Sequence, residues 1–136
     1  MSEQEDVIRR FIDALNRRDF DAVDEVLTDD LVFHAGSFGE IHGREPFKEF
    51  AGPFFVGFPN IQLELHDVIA DGDRVAVRFT SSGTHSGEFS GIAATGKAVS
   101  FTEQPQYRVA DGKIVEVWWL ADMFGLMRQL GAIPNG

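Results

Sequence analysis

Cysteine is absent from the 136-residue chain, which removes disulfide frameworks, thiolate metal sites and cysteine nucleophiles together and leaves the redox compartment open. Basic charge is scarce. Twelve Lys and Arg stand against twenty-two Asp and Glu, for a formal net charge of -10, and a surface of that sign repels phosphate backbones and anionic lipid. Nucleic acid and membrane are therefore not expected as partners. No apolar run reaches the length of a membrane span, and the acidic start MSEQED lacks the basic and apolar regions of a secretory signal, so a cytoplasmic protein is expected. Tyrosine occurs once, but there are thirteen phenylalanines; these lie in apolar strands and helices rather than among basic residues, and read as core rather than as base-stacking platforms.

What is present has the size and balance of a single domain over residues 1–136, with 43% hydrophobic residues, enough for one core without metal or disulfide. From Glu3 to Arg17 the residues Val7, Ile8, Phe11, Ile12 and Leu15 recur at helical steps, and Ser2 with Glu5 forms a capping box. A shorter helix is predicted over Asp19 to Leu27. The stretch Leu31 to Ala35 suits a strand, and Arg44 to Phe58 a lid-like third helix broken or kinked at Gly52-Pro53. Four strands follow, Ile61 to Ala70, Arg74 to His85, Ala98 to Ala110 and Lys113 to Ala121, paired into hairpins at Asp71-Gly72 and Asp111-Gly112. A last helical turn from Asp122 ends at Gly131. The expected fold class is α+β: a cone-shaped curved antiparallel sheet wrapped on amino-terminal helices, with an open mouth that suits a small ligand.

Strand parity gives two further expectations. Taking Trp118, Leu120 and Asp122 as one face and Val115, Val117 and Trp119 as the other, both faces of the last strand are apolar. A second apolar face predicts a homodimer, or a dimer of dimers, through the outer sheet around Trp119; helices wrapping further round would be the plainer explanation.

On that phase Asp122 points into the cone beside Trp118, where an apolar wall would raise its pKa towards that of a general base. The alternative is a plain helix N-cap over Met123 to Leu130. His85 ends a strand near the expected mouth and is a second catalytic candidate. His66, His34, Phe54 and Phe101 are candidate pocket residues, with structural roles the commoner outcome for the histidines. Phe101, Glu103, Pro105 and Tyr107 should share the inward face, making Glu103 a second acid and Tyr107 a hydroxyl donor, unless a bulge at Pro105 exchanges them with Gln104 and Gln106. No paired-ligand spacing for a metal appears. Thr95-Gly96-Lys97 lacks the rest of a phosphate loop, and Ser90-Gly91 lacks the glycine of a nucleophile elbow. No metal or cofactor is expected.

The segment Gly83-Thr84-His85-Ser86-Gly87-Glu88-Phe89, with Gly91-Ile92, Thr95-Gly96-Lys97, Arg108-Val109, Asp111-Gly112-Lys113-Ile114, Glu116, Trp118, Asp122 and Gln129-Leu130-Gly131, resembles the SnoaL-like polyketide cyclases, or ester cyclases, of the nuclear transport factor 2-like superfamily. The resemblance implies that Asp122 is the acid/base of an intramolecular aldol cyclisation with no cofactor, and that His85 is a polar neighbour in the pocket. It departs at Trp119, where the family is often polar, and at Gln104-Pro105-Gln106. The expected function is thus cofactor-independent acid/base chemistry, cyclase-like or isomerase-like, on a small hydrophobic carbonyl compound. The alternative is a non-catalytic ligand-binding or dimerisation module. A ketosteroid-isomerase type would need Tyr107 and Glu103 both inward, and an epoxide-hydrolase type an inward arginine, for which Arg78 has the wrong parity.

Overall fold

The computed structural model describes residues 2–134. Helix α1 (Glu3–Asn16) starts where the Ser2 hydroxyl accepts from the Glu5 backbone N–H at 3.2 Å, and its acidic first turn complements the helix dipole. Its apolar stripe, Val7 to Leu15, is fully buried. Helix α2 (Phe20–Val26) is capped by Asp19, which accepts from Ala22 N–H at 3.1 Å. Strand β1 (Leu27–His34) follows directly, then a short 3₁₀ turn (Gly36–Phe38), strand β2 (Glu40–His42) and helix α3 (Arg44–Gly57).

Helix α3 runs unbroken through Pro53, against the expected break at Gly52-Pro53. Both of its ends are held from outside: Arg44 donates to the carbonyls of Asp24 and Leu27, Lys48 pairs with Asp24 at 3.0 Å, and Ser86 N–H reaches the Gly57 carbonyl at 3.1 Å. These contacts offset the single hydrogen bond that a proline removes. Gly87 passes so close to the end of α3 that a Cβ there would lie 2.1 Å from the Val56 carbonyl oxygen, so only glycine fits.

The remaining strands are β3 (Gln62–Asp71), β4 (Arg74–Thr84), β5 (Ala98–Glu103), β6 (Gln106–Ala110) and β7 (Lys113–Trp118), before helix α4 (Met123–Gln129). The sheet order is β2-β1-β7-β6-β4-β3, with β5 also paired to β4. Both expected hairpins form. At Asp111-Gly112 both residues have positive φ, 52° and 75°, the geometry of a tight primed turn. Pro105 divides the expected strand Ala98 to Ala110 into β5 and β6, since it cannot donate to the ladder. One pairing departs from the expected antiparallel sheet. Strand β1 lies parallel to β7, with Phe33 opposite Val117 and His34 opposite Trp118.

The concave face packs on α1 to α3. Burying side chains such as Ile8, Leu27, Leu31 and Ile114 stabilises the fold by about 1.5–3 kcal/mol each. A second apolar cluster, containing Phe58, Phe89, Phe101, Leu126 and Leu130, joins the end of α3 to α4. Between these two clusters the packing is incomplete, and there the candidate site lies.

Candidate active site

The cavity is walled by α1 (Phe11, Ile12, Leu15), by α3 (Phe47, Phe50, Phe54, Phe55) and by the concave sheet. Its volume is about 90 Å³, several times the roughly 10–15 Å³ needed to hold one water. Phe38 marks the rim: it is 60% exposed, and its ring lies 5.7 Å from Phe50 and 6.4 Å from Trp119. Among the described residues the lining is apolar apart from Ser81, Glu103, Tyr107 and the indole N–H of Trp119, and it includes no Lys, Arg or His.

Glu103 closes strand β5 and faces Phe79 across the ladder. It is only 8% exposed. Ser81 Oγ donates to its Oε2 at 2.5 Å and Trp119 Nε1 donates to its Oε1 at 2.7 Å. Burial pushes the carboxyl above the ordinary glutamate range, and the two donors hold it back part of the way. An indole N–H can only donate, whereas a serine hydroxyl can donate or accept. A proton arriving on Glu103 is therefore best placed on Oε2, with Oε1 left as acceptor to Trp119. Tyr107 is 3% exposed, and burial, then the nearby Glu103 charge, push its phenol well above its ordinary value, so it stays protonated.

Trp119 reaches Glu103 because the chain beyond β7 continues along β5: Gln104 N–H donates to the Leu120 carbonyl at 2.8 Å, Asp122 N–H to the Thr102 carbonyl at 3.0 Å, and Glu103 bridges Ala121. On this register Val117 and Trp119 face in, while Glu116, Trp118 and Asp122 do not. The expected phase was the reverse. A mid-strand charge at Glu116, in phase with Trp118 and Asp122, was the signal that their face is outward.

A buried acid in an apolar cone, under three helices on a curved sheet, is the setting in which the comparisons with known proteins fall. The profile of the SnoaL-like polyketide cyclases matches residues 5–130. The chain belongs to the SnoaL-like polyketide cyclase family. It is similar to the aklanonic acid methyl ester cyclase DauD of Streptomyces sp. (strain C5), 30% identical over 135 residues that cover 96% of this chain and 83% of that protein. DnrD of Streptomyces peucetius, of the same description, is 30% identical and covered to 92%. Among solved structures, AclR of Streptomyces galilaeus, provisionally assigned as a hydroxylase, superposes with a TM-score of 0.90 at 32% identity, covering all of this chain and 85% of AclR. A SnoaL-like polyketide cyclase of Agrobacterium tumefaciens superposes at 0.78 with 25% identity, covering 96% and 100%.

Within this SnoaL-like cyclase fold the expected site residues divide. Phe54, Glu103 and Tyr107 line the cavity. Phe101 is buried just behind it, with its ring 6.4 Å from that of Phe54. The register runs unshifted past Pro105, from Phe79 opposite Glu103 to Ala76 opposite Gln106, so no bulge exchanges Gln104 and Gln106 with their neighbours, and both are exposed. Asp122 is exposed and caps α4, its Oδ1 accepting from Gly125 N–H at 2.8 Å. That is the capping alternative, not the expected position inside the cone. His85 is wholly buried but outside the cavity: its Nδ1 lies 2.9 Å from Thr95 Oγ1 and accepts from Thr95 N–H at 3.2 Å, and its ring packs on Phe58. Its work is to pin the loop that follows β4.

His66 is exposed and bonded to Thr80 at 2.8 Å. His34 stacks on Trp118 with ring centroids 5.3 Å apart, bonds Glu116 at 2.7 Å, and Arg74 covers the Trp118 ring at 4.1 Å. None of these three lies in the cavity. The same arrangement removes the reason for expecting a dimer around Trp119. That residue faces inward, and the outward positions beside Trp118 carry His34, Glu116, Arg108, Arg74 and Gln106. Reasoning from sequence missed Ser81 altogether; its only signal was parity, as the odd-numbered positions Val75, Val77, Phe79 and Ser81 all point inward on β4.

Proposed function

We propose that the chain is a cyclase that closes a ring by intramolecular aldol chemistry within a small, hydrophobic, neutral ester or ketone, with Glu103 as acid and base. The observation that carries this reading is a buried carboxyl facing an apolar cavity that, among the described residues, has no cationic side chain on its walls. A carbon flanked by a ketone and an ester is already acidic, so one placed base in a dry, shaped pocket suffices.

The Glu103 carboxylate takes the proton from that carbon, leaving an enolate and a carboxylic acid. The enolate carbon then bonds to a second carbonyl carbon of the same molecule, whose oxygen becomes an alkoxide. The Glu103 acid returns its proton to that alkoxide, so carboxylate and proton count are restored and the product is an isomer of the substrate. Trp119 N–H stabilises the charged carboxylate, and Ser81 can follow the proton on Oε2. The methyl ester cyclases to which the chain is similar support an ester substrate class.

The family resemblance gives the acid/base role to Asp122, whereas burial and contact with the cavity favour Glu103. Ring closure of an aryl β-keto ester bearing a second ketone, followed chromatographically, separates them. Glu103→Gln should lower the rate by about 10²–10⁴-fold, the usual contribution of general acid–base catalysis, while Asp122→Asn retains it. A rate lost in Asp122→Asn and kept in Glu103→Gln returns the role to Asp122; no closure by the wild type leaves a ligand-binding module.

A further inference from the structure

We propose that the Tyr107 hydroxyl is the carbonyl anchor of the cavity: it donates to a ketone oxygen of the bound molecule and so determines which carbon reaches Glu103. The inference deepens the cyclase reading and rests on the cavity being the substrate site.

The polar groups of the cavity are unequally satisfied. Ser81, Glu103 and Trp119 bond one another. No protein group among the described residues hydrogen-bonds the Tyr107 hydroxyl. It is not sealed in protein either: among the described residues the buried side-chain polar atoms without a partner are Arg44 Nε and His85 Nε2, so the phenol oxygen opens onto the void that its residue lines. An unpartnered hydroxyl in an apolar wall leaves a desolvation cost that a ligand acceptor would offset. The ring is held in place, edge-on to Phe11 with centroids 6.0 Å apart, so the direction of the hydroxyl is set before a ligand arrives.

Placement makes the pair productive. Glu103, Pro105 and Tyr107 are buried alternately with exposed Gln104 and Gln106 along one run of chain. Four residues of extended backbone place the Cα atoms of Glu103 and Tyr107 about 13 Å apart at most, and both side chains line the same cavity, so one molecule carrying several carbonyls can meet both. Because the phenol stays protonated beside the Glu103 charge, it remains a donor when Glu103 is a base. The ligand class that follows is a ketone whose oxygen and acidic carbon are held at two fixed points, rather than any apolar molecule of the right volume.

The test uses 2-acetylnaphthalene labelled with ¹³C at its carbonyl, bound to the whole protein and read by difference infrared spectroscopy. In the wild type the carbonyl stretch should fall below its value in an apolar solvent. In Tyr107→Phe, which keeps the ring and its packing, it should return to that value, with affinity weakened by about two- to tenfold, the worth of one neutral hydrogen bond. Glu103→Gln should still bind the probe. An unchanged frequency in Tyr107→Phe overturns the proposal, as does failure of the wild type to bind. If the frequency responds to Tyr107→Phe but ring closure ignores Glu103→Gln, the anchor stands and the acid/base assignment falls.

Discussion

Glu103 is charged in one step of the proposed cycle and neutral in the other, and its surroundings pull on those two states in opposite directions. Burial favours the acid; Trp119 N–H and Ser81 O–H favour the carboxylate. Trp119→Phe removes one donor and nothing else polar, so the carboxylate becomes harder to form. The acidic limb of the pH–rate profile should move to higher pH by about one unit, the worth of a lost hydrogen bond to a charged group; a profile that stays in place would show that Trp119 only packs. Stability carries a linked signature. A carboxyl whose pKa is raised by folding binds its proton more tightly in the native state, so its contribution is complete below the unfolded value near 4.5 and is lost as pH rises through the folded one. Urea unfolding of the wild type should therefore show stability falling over that window, by at most about 1.4 kcal/mol per pH unit, and Glu103→Gln should not share the decline. The same variant that loses activity would gain stability at neutral pH.

The last strand and the helix that follows it carry the reassignment of Asp122. Its carboxylate accepts from Gly125 N–H and satisfies one of the free donors at the start of α4, which docks Leu126 and Leu130 into the second apolar cluster. Asp122→Ala should cost about 1 kcal/mol of stability in denaturant unfolding, as loss of a cap does, while ring closure by the folded fraction is retained. Local signals were legible in the chain wherever they decide structure locally: the cap and stripe of α1, both Asp-Gly hairpins, the inward Glu103 and Tyr107. Other features were not, for physical reasons. The register shift between β6 and β7 at Arg108/Val109 takes Val115 out of phase with Val117 and puts Ile114 on the buried face instead, and counting alternate residues from Trp118 groups the later positions without saying which group faces in. The parallel partnership of β1 with β7 is non-local, and the continuity of α3 through Pro53 depends on contacts at both of its ends rather than on its own residues.

Taken across the whole chain, the fold separates two kinds of aromatic chemistry on opposite sides of one sheet. Inside, phenylalanines from α1, α3 and β1 shape a cavity with one acid and one phenol. Outside, Trp118 is held between His34 and Arg74 in a strip of paired charges, and the histidines expected in the pocket make structural contacts instead. Among the described residues no helix is long and apolar enough to cross a membrane. The proposed proton chemistry thus sits on a buried glutamate rather than on the aspartate at the end of the sheet. Exchange of the α-proton of a simple aryl β-keto ester into deuterated water, followed by NMR for the wild type, Glu103→Gln and Asp122→Asn, reads that chemistry without requiring the true substrate. Wild type and Asp122→Asn should exchange above the buffer rate and Glu103→Gln should lose about 10²–10⁴-fold. Undiminished exchange in Glu103→Gln would contradict the account.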